Sequence, residues 1–105
     1  GPVTSGSLSL SNGVSANWRV AGNVLLLSSS NTMTLTGLHR TQFDANREMV
    51  LFNVGTGVVV LKSEGTESSA SNRFVLSTNW NLSAGAAGTL WRDPYAARWR
   101  GLSRT

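Results

Sequence analysis

Apolar and polar residues alternate in short bursts along most of this chain, and each burst has the two-residue period of a half-buried strand. Residues 7–11 (SLSLS) place leucines on one face and serines on the other, and residues 32–36 (TMTLT) set Met33 and Leu35 against three threonines. Residues 79–83 alternate likewise, residues 15–19, 23–28, 73–77 and 89–92 read as strands without strict alternation, and 96–102 read as a last strand. Asn12-Gly13, Gly22, residues 29–31 and residues 84–88 interrupt it with residues that favour turns. Residues 38–47, polar except for Phe43 and a few others, read as a connecting loop or one helical turn. The spacing therefore predicts eight to ten short strands and almost no helix.

The clearest local signal lies between residues 47 and 76. Residues 48–53 (EMVLFN) and 57–62 (GVVVLK) are rich in β-branched and large apolar side chains. Asn53, Gly55 and Gly57 between them tolerate backbone angles that a tight connection needs, so the segment reads as a hairpin. Residues 64–72 hold Gly65, Thr66, Ser68, Ser69 and Ser71, which supply no core, and read as a loop.

A chain of 105 residues suits one core, and its small size makes oligomerisation helpful. The expected fold is all-β: a single small antiparallel sandwich or barrel, jelly-roll-like. No internal repeat is visible, which disfavours a propeller or solenoid. Gly1-Pro2 has the form of a tag remnant, so residues 3–105 are expected to be one domain excised from a longer protein. No apolar run approaches the roughly 20 residues of a membrane-spanning helix, no secretory leader is evident, and membrane insertion is not expected. The absence of cysteine removes disulfides and thiolate metal sites, leaving packing or partner subunits to compensate for size.

Charge changes the picture in two ways. Only 13% of residues are charged, about half the usual share. Strands with small hydroxyl-bearing side chains and few charges can pack about a three-fold axis without burying unpaired ions, which favours a homotrimer. Eight of the nine basic residues are arginine, and the net charge is +4. That balance permits a polyanion partner, but it lacks the dense basic stripe of a nucleic-acid binder, so nucleic acid is disfavoured.

Few residues offer chemistry. Glu64 and Glu67 are a conceivable acid pair for a small glycan hydrolase, but a solvated loop, or pairing of Glu64 with Lys62 or Arg73, explains them more simply. His39 is the sole histidine, and no G-x-S-x-G elbow accompanies it. A metal on a three-fold axis would need three copies of His39; no metal or cofactor is expected, and no catalytic residue is assigned. Gly55-Thr56-Gly57 lacks the lysine and following helix of a phosphate loop. Arg73, between Asn72 and Phe74, is expected to fix the serine-rich loop through carbonyls or an acid.

Trp91, Tyr95 and Trp99 interleave with Arg92, Arg98 and Arg100, giving the best recognition candidate, since aromatic faces stack on sugars and guanidinium forks grip anions. Parity within the last strand separates Trp99 from Arg98 and Arg100. Trp91 and Trp99 are thus expected in the core, with Trp18 and Trp80 as further packing anchors. Arg98, Arg100 and Arg104 remain as exposed binding candidates, Tyr95 is a further binding candidate, and Asn53, Gly55, Gly57, Asn72, Arg73, Phe74, Trp91 and Trp99 are structural ones.

The order of several short motifs resembles a β-rich module of bacteriophage tail-fibre, tail-spike, baseplate and head-fibre proteins. The matching pieces are Leu35-Thr36-Gly37-Leu38, the N-x-G-T-G of residues 53–57, V-x-L-K-x-E over 59–64, and Asn72-Arg73-Phe74. L-x-A-G over 82–85, Asp93 and Arg98-Trp99-Arg100 complete the series, which spans roughly the last 70 residues. The arginine-rich end, Arg98 to Arg104, departs from that pattern. The resemblance implies a non-enzymatic domain of a fibrous virion protein, often a homotrimer, assembled in the host cytoplasm. Its implied roles are fibre assembly and host-surface attachment, with other virion proteins and a cell-surface glycan as partners. The alternatives are a standalone carbohydrate- or polyanion-binding module and, behind it, the small glycan hydrolase.

Overall fold

The computed structural model describes residues 5–9, 13–15, 24–38 and 47–105. Ten strands form in chain order: β1 (Ser5–Ser9), β2 (Gly13–Ser15), β3 (Val24–Ser28), β4 (Met33–Leu35), β5 (Glu48–Asn53), β6 (Val59–Leu61), β7 (Phe74–Val75), β8 (Trp80–Leu82), β9 (Ala87–Asp93) and β10 (Arg98–Arg104). A 3-10 turn, Ala70–Asn72, precedes β7. The expected all-β class holds. The strands divide into a six-stranded sheet, ordered β1-β3-β5-β9-β10-β7, and a four-stranded sheet, ordered β2-β4-β6-β8. The two sheets do not close into a barrel.

The pairing corrects the antiparallel expectation, because five of the eight ladders are parallel. The first six strands enter the two sheets alternately, so β1–β2, β3–β4 and β5–β6 are three successive rungs of one winding path. Ser5 lies beside Val24 and Val24 beside Val50, and in the small sheet Gly13 lies beside Met33 and Met33 beside Val59. This is a short solenoid, contrary to the expectation from sequence. The step between equivalent residues is 19 or 20 and then 26, too uneven to leave a repeat in the sequence.

The predicted hairpin over residues 48–62 is likewise corrected. β5 and β6 belong to different sheets, so the segment between them is an arch that carries the chain across the core. Its reason is the arch of the preceding rung, residues 29–32, which it stacks against. Val54 N–H donates to Leu27 O at 2.8 Å, Gly57 N–H to Ser29 O at 2.7 Å, and Met33 N–H to Val58 O at 2.8 Å. A Cβ at Gly55 or Gly57 would collide with backbone atoms of residues 28–31, so the glycines serve close approach between rungs.

The core follows from strand parity. Leu25, Leu27, Met49, Leu51, Phe74, Leu90 and Trp99 of the large sheet meet Met33, Leu35, Val59, Leu61, Trp80 and Leu82 of the small sheet in one buried cluster. Expectation and structure agree for Met33, Leu35, Phe74, Trp80 and Trp99. Trp91 is corrected: Leu90 points inward, and Trp91 lies on the outer face between Glu48 and Arg100. Trp80 reaches from the small sheet onto Gly88 and Gly101 of the large one, where any side chain would strike its ring. Trp18, His39 and Phe43 fall outside the described residues.

Antiparallel strands complete the stack after the third rung. β9 pairs with β5, and β8 with β6. β10 pairs with β9 on one side and, in parallel, with β7 on the other.

Candidate functional site

Three of the motif pieces, residues 35–38, 72–74 and 98–100, meet in space. Leu38 N–H donates to Asn72 O at 3.0 Å, Trp99 N–H to Arg73 O at 3.0 Å, and Trp99 Nε1–H to Leu38 O at 3.0 Å. Phe74 and Trp99 are register partners, both buried. Thr36 Oγ1 and Ser68 Oγ share a buried hydrogen bond of 2.8 Å, and Arg73 Nε–H donates to Ser68 O at 3.0 Å. The expected role of Arg73 in fixing the serine-rich loop through a carbonyl is thus realised. Three sequence-distant motifs form one structural junction, in which buried backbone groups find side-chain or backbone partners.

A second junction closes the third rung. Asn53 is fully buried, on the inward face beside Leu27, where the alternation calls for an apolar side chain. Its Nδ2 donates to Gly57 O at 2.7 Å and to Leu82 O at 2.8 Å, while its Oδ1 accepts from Gly55 N–H at 3.1 Å. One side chain therefore holds the arch in shape and ties it to β8.

The recognition candidates gather around the β9–β10 connection. Asp93 Oδ1 accepts hydrogen bonds from Tyr95 N–H at 2.9 Å and Ala96 N–H at 3.2 Å, and Asp93 Oδ2 accepts one from Arg100 Nε–H at 2.6 Å. Arg98 grips Glu64 through Nε–H at 2.6 Å and Nη2–H at 3.4 Å, and its Nη1 reaches the carbonyls of Ala96 and Ala97. Ala97 takes φ +54° to close the turn. Tyr95 stands at the tip, 97% exposed, on a backbone braced from both sides.

This arrangement changes the chemical reading. Arg98 and Arg100 each hold a carboxylate, so these two positive charges are locally offset by acids. Arg104 lies over the Trp80 ring, with its guanidinium carbon 6.0 Å from the centroid. Arg92 is buried, 5.3 Å from the centroid of the Trp99 ring. The arginines thus hold strands and turns together, and Tyr95 supplies the exposed aromatic surface.

Glu64 and Glu67 are each paired with a cation. Glu64 is engaged by Arg98 and Glu67 by Lys62 Nζ at 3.3 Å. The hydrogen bond from Arg98 lowers the pKa of Glu64. A hydrogen bond from its own backbone N–H, followed by Lys62, lowers that of Glu67. A general acid needs the opposite shift. Among the described residues no group of three or more His, Asp or Glu side chains is placed to hold a metal ion.

The Asp93 carboxyl is also held below its ordinary value, chiefly by the Arg100 hydrogen bond and then by the turn amides. A carboxyl whose folded pKa lies below its unfolded value stabilises the fold above the unfolded pKa, about 4, and loses that contribution as pH falls through the folded value. The melting temperature should therefore fall on acidification below about pH 4. A double variant, Glu64→Gln with Asp93→Asn, should melt lower at neutral pH and show a flatter profile. Equal slopes for the two proteins in a thermal scan across pH would refute the assignment.

Sequence reasoning missed Ser63, which uses its hydroxyl twice, donating to Leu76 O at 3.0 Å and accepting from Leu76 N–H at 2.9 Å. Nothing distinguishes it in the sequence from the serines around it.

No protein-family model, curated protein or solved structure matches this chain.

Proposed function

We propose that this chain is a non-enzymatic structural domain of a fibrous virion protein of the bacteriophage tail-fibre or head-fibre kind, acting as a homotrimer in fibre assembly and host-surface attachment. The carrying observation is the junction of residues 36–38, 72–74 and 99, where the motifs that prompted the resemblance serve as packing and hydrogen-bonding elements. The stacked rungs support the same reading, since parallel stacking suits an elongated shaft. Exposed Phe52, Val54 and Leu102 offer apolar surface for neighbouring subunits. The virion would then be its location, with other virion proteins as neighbours. Light scattering at micromolar concentration tests the trimer: a mass of three chains is expected, and a single-chain mass at every concentration would overturn it.

The presentation of Tyr95 on a braced turn favours one second reading, a carbohydrate- or polyanion-binding module. A preformed aromatic platform loses little entropy on contact. Glycan-array binding by a monomeric domain, abolished by Tyr95→Ala and retained by Ala84→Ser, would favour this reading over the fibre domain. The glycan hydrolase receives no support from the cation-held Glu64 and Glu67.

A further inference from the structure

One row on the outer face of the large sheet carries chemistry that the β9–β10 turn does not. Residues 48, 91 and 100 are register partners across β5, β9 and β10, so Glu48, Trp91 and Arg100 stand side by side on the face turned away from the core. Neighbouring strands lie about 4.8 Å apart, which sets the backbones of Glu48 and Arg100 about 10 Å apart with Trp91 between them. Trp91 is half-buried, and both of its neighbours are exposed. The Nε–H of Arg100 on Asp93 holds the guanidinium in place, while its two terminal nitrogens make no hydrogen bond to the described residues. Glu48 has no ion-pair partner among the described residues. The row thus presents an acceptor, an aromatic face and a fork of donors.

These groups narrow the ligand. It needs one apolar face to lie on the indole and rim groups that both donate and accept, and a pyranose ring has both. Glu48 and Asp93 outnumber Arg100 in charge, so the row opposes a polyanion. A nucleobase has comparable edge groups but brings phosphates, which the same acids oppose. We propose that Glu48, Trp91 and Arg100 form a binding platform for a neutral pyranose sugar, with Trp91 as the stacking surface, Arg100 as donor and Glu48 as acceptor. The inference deepens the host-surface attachment proposed above, on which it rests, and places the sugar contact on the sheet face instead of at Tyr95. Three hydrogen-bonded strands hold the row, so little freedom remains to be lost on contact.

The probes are the methyl glycosides of glucose, galactose, mannose and N-acetylglucosamine, with heparin as the anionic comparison. Each is added to isotope-labelled protein, and the indole N–H signals of the four tryptophans are followed by NMR. Trp91→Phe identifies the Trp91 signal by its loss. At least one neutral glycoside is expected to move that signal more than the other three, and saturation of the aromatic protons should reach the C–H protons of the sugar. Trp91→Ala should weaken binding about tenfold or more, Glu48→Ala about threefold, and Tyr95→Ala less than about twofold. A Trp91 signal unmoved by all four glycosides would overturn the platform, and that measurement uses the parent protein, so a misfolded variant cannot imitate it. Binding lost in Tyr95→Ala and kept in Trp91→Ala would overturn it in favour of the turn, and a preference for heparin over every glycoside would overturn the neutral ligand. Light scattering on the same samples reads the fibre proposal separately. A three-chain mass without glycoside binding overturns the platform alone, whereas a single-chain mass with Trp91-dependent binding upholds the platform and overturns the trimer.

Discussion

Asn53→Leu is expected to destabilise the domain by about 3–5 kcal/mol, read as a lowered urea midpoint with an unchanged slope. Leucine keeps the volume and would suit the apolar parity of β5, so hydrophobicity alone predicts a gain. The hydrogen bonds decide otherwise. Asn53 satisfies the carbonyls of Gly57 and Leu82 and the amide of Gly55 in a fully buried place, and leucine leaves all three without that partner. Each buried polar group stranded in this way costs about 1–3 kcal/mol. Asn53→Asp separates polarity from donation: a carboxylate still accepts from Gly55 but opposes the two carbonyls. Its destabilisation should be greatest at neutral pH, where it is charged, and ease on mild acidification. A leucine variant as stable as the parent would show that the arch is held by packing.

Trp99→Ala should cost about as much, roughly 3–5 kcal/mol, by removing the largest fully buried side chain in the described core. Trp99→Phe is the informative companion. It retains most of the ring packing against Phe74 but deprives Leu38 O of the indole N–H, and should cost about 1–3 kcal/mol. Because the same ring also carries the Arg92 guanidinium, the alanine variant removes a cation–π partner from a buried charge. Against a total stability of about 5–15 kcal/mol for a small domain, either Trp99→Ala or Asn53→Leu removes a large fraction. Equal midpoints for the alanine and phenylalanine variants would place the value of Trp99 in its hydrogen bond.

What the sequence conveyed, and where it misled, follows from the range of the forces involved. Strand character is local, so residues 23–28, 32–36 and 48–53 could be recognised as strands, and the alternation of 32–36 also assigned its buried face to Met33 and Leu35. Sheet membership depends on a partner about 20 residues away, and the unequal steps between rungs left no period to find. The Asn53 to Gly57 segment carries the composition of a hairpin turn, yet the same glycines serve an arch stacked on residues 29–31. Local composition marks a reversal of the chain without saying whether the next strand stays in the same sheet. Trp91 was misplaced because the parity of the last strand was carried over to it, whereas β9 runs from Ala87 and its inward residues are Gly88, Leu90 and Arg92. Tyr95 was legible as a binding candidate but not as an exposed tip, and the pairing of Arg98 with Glu64 was hidden because the two lie 34 residues apart.

The position of β10 between β9 and β7 also bears on the order in which the molecule can be built. β7 is made before β10, yet its ladder partner is β10, and Trp99 from β10 fills the junction that residues 36–38 and 72–74 leave open. On a ribosome the first three rungs emerge before β10, and this junction stays open until Trp99 arrives. β10 thus locks the middle of the chain, so a premature stop before Trp99 should leave a nascent polypeptide dependent on chaperones and open to proteases.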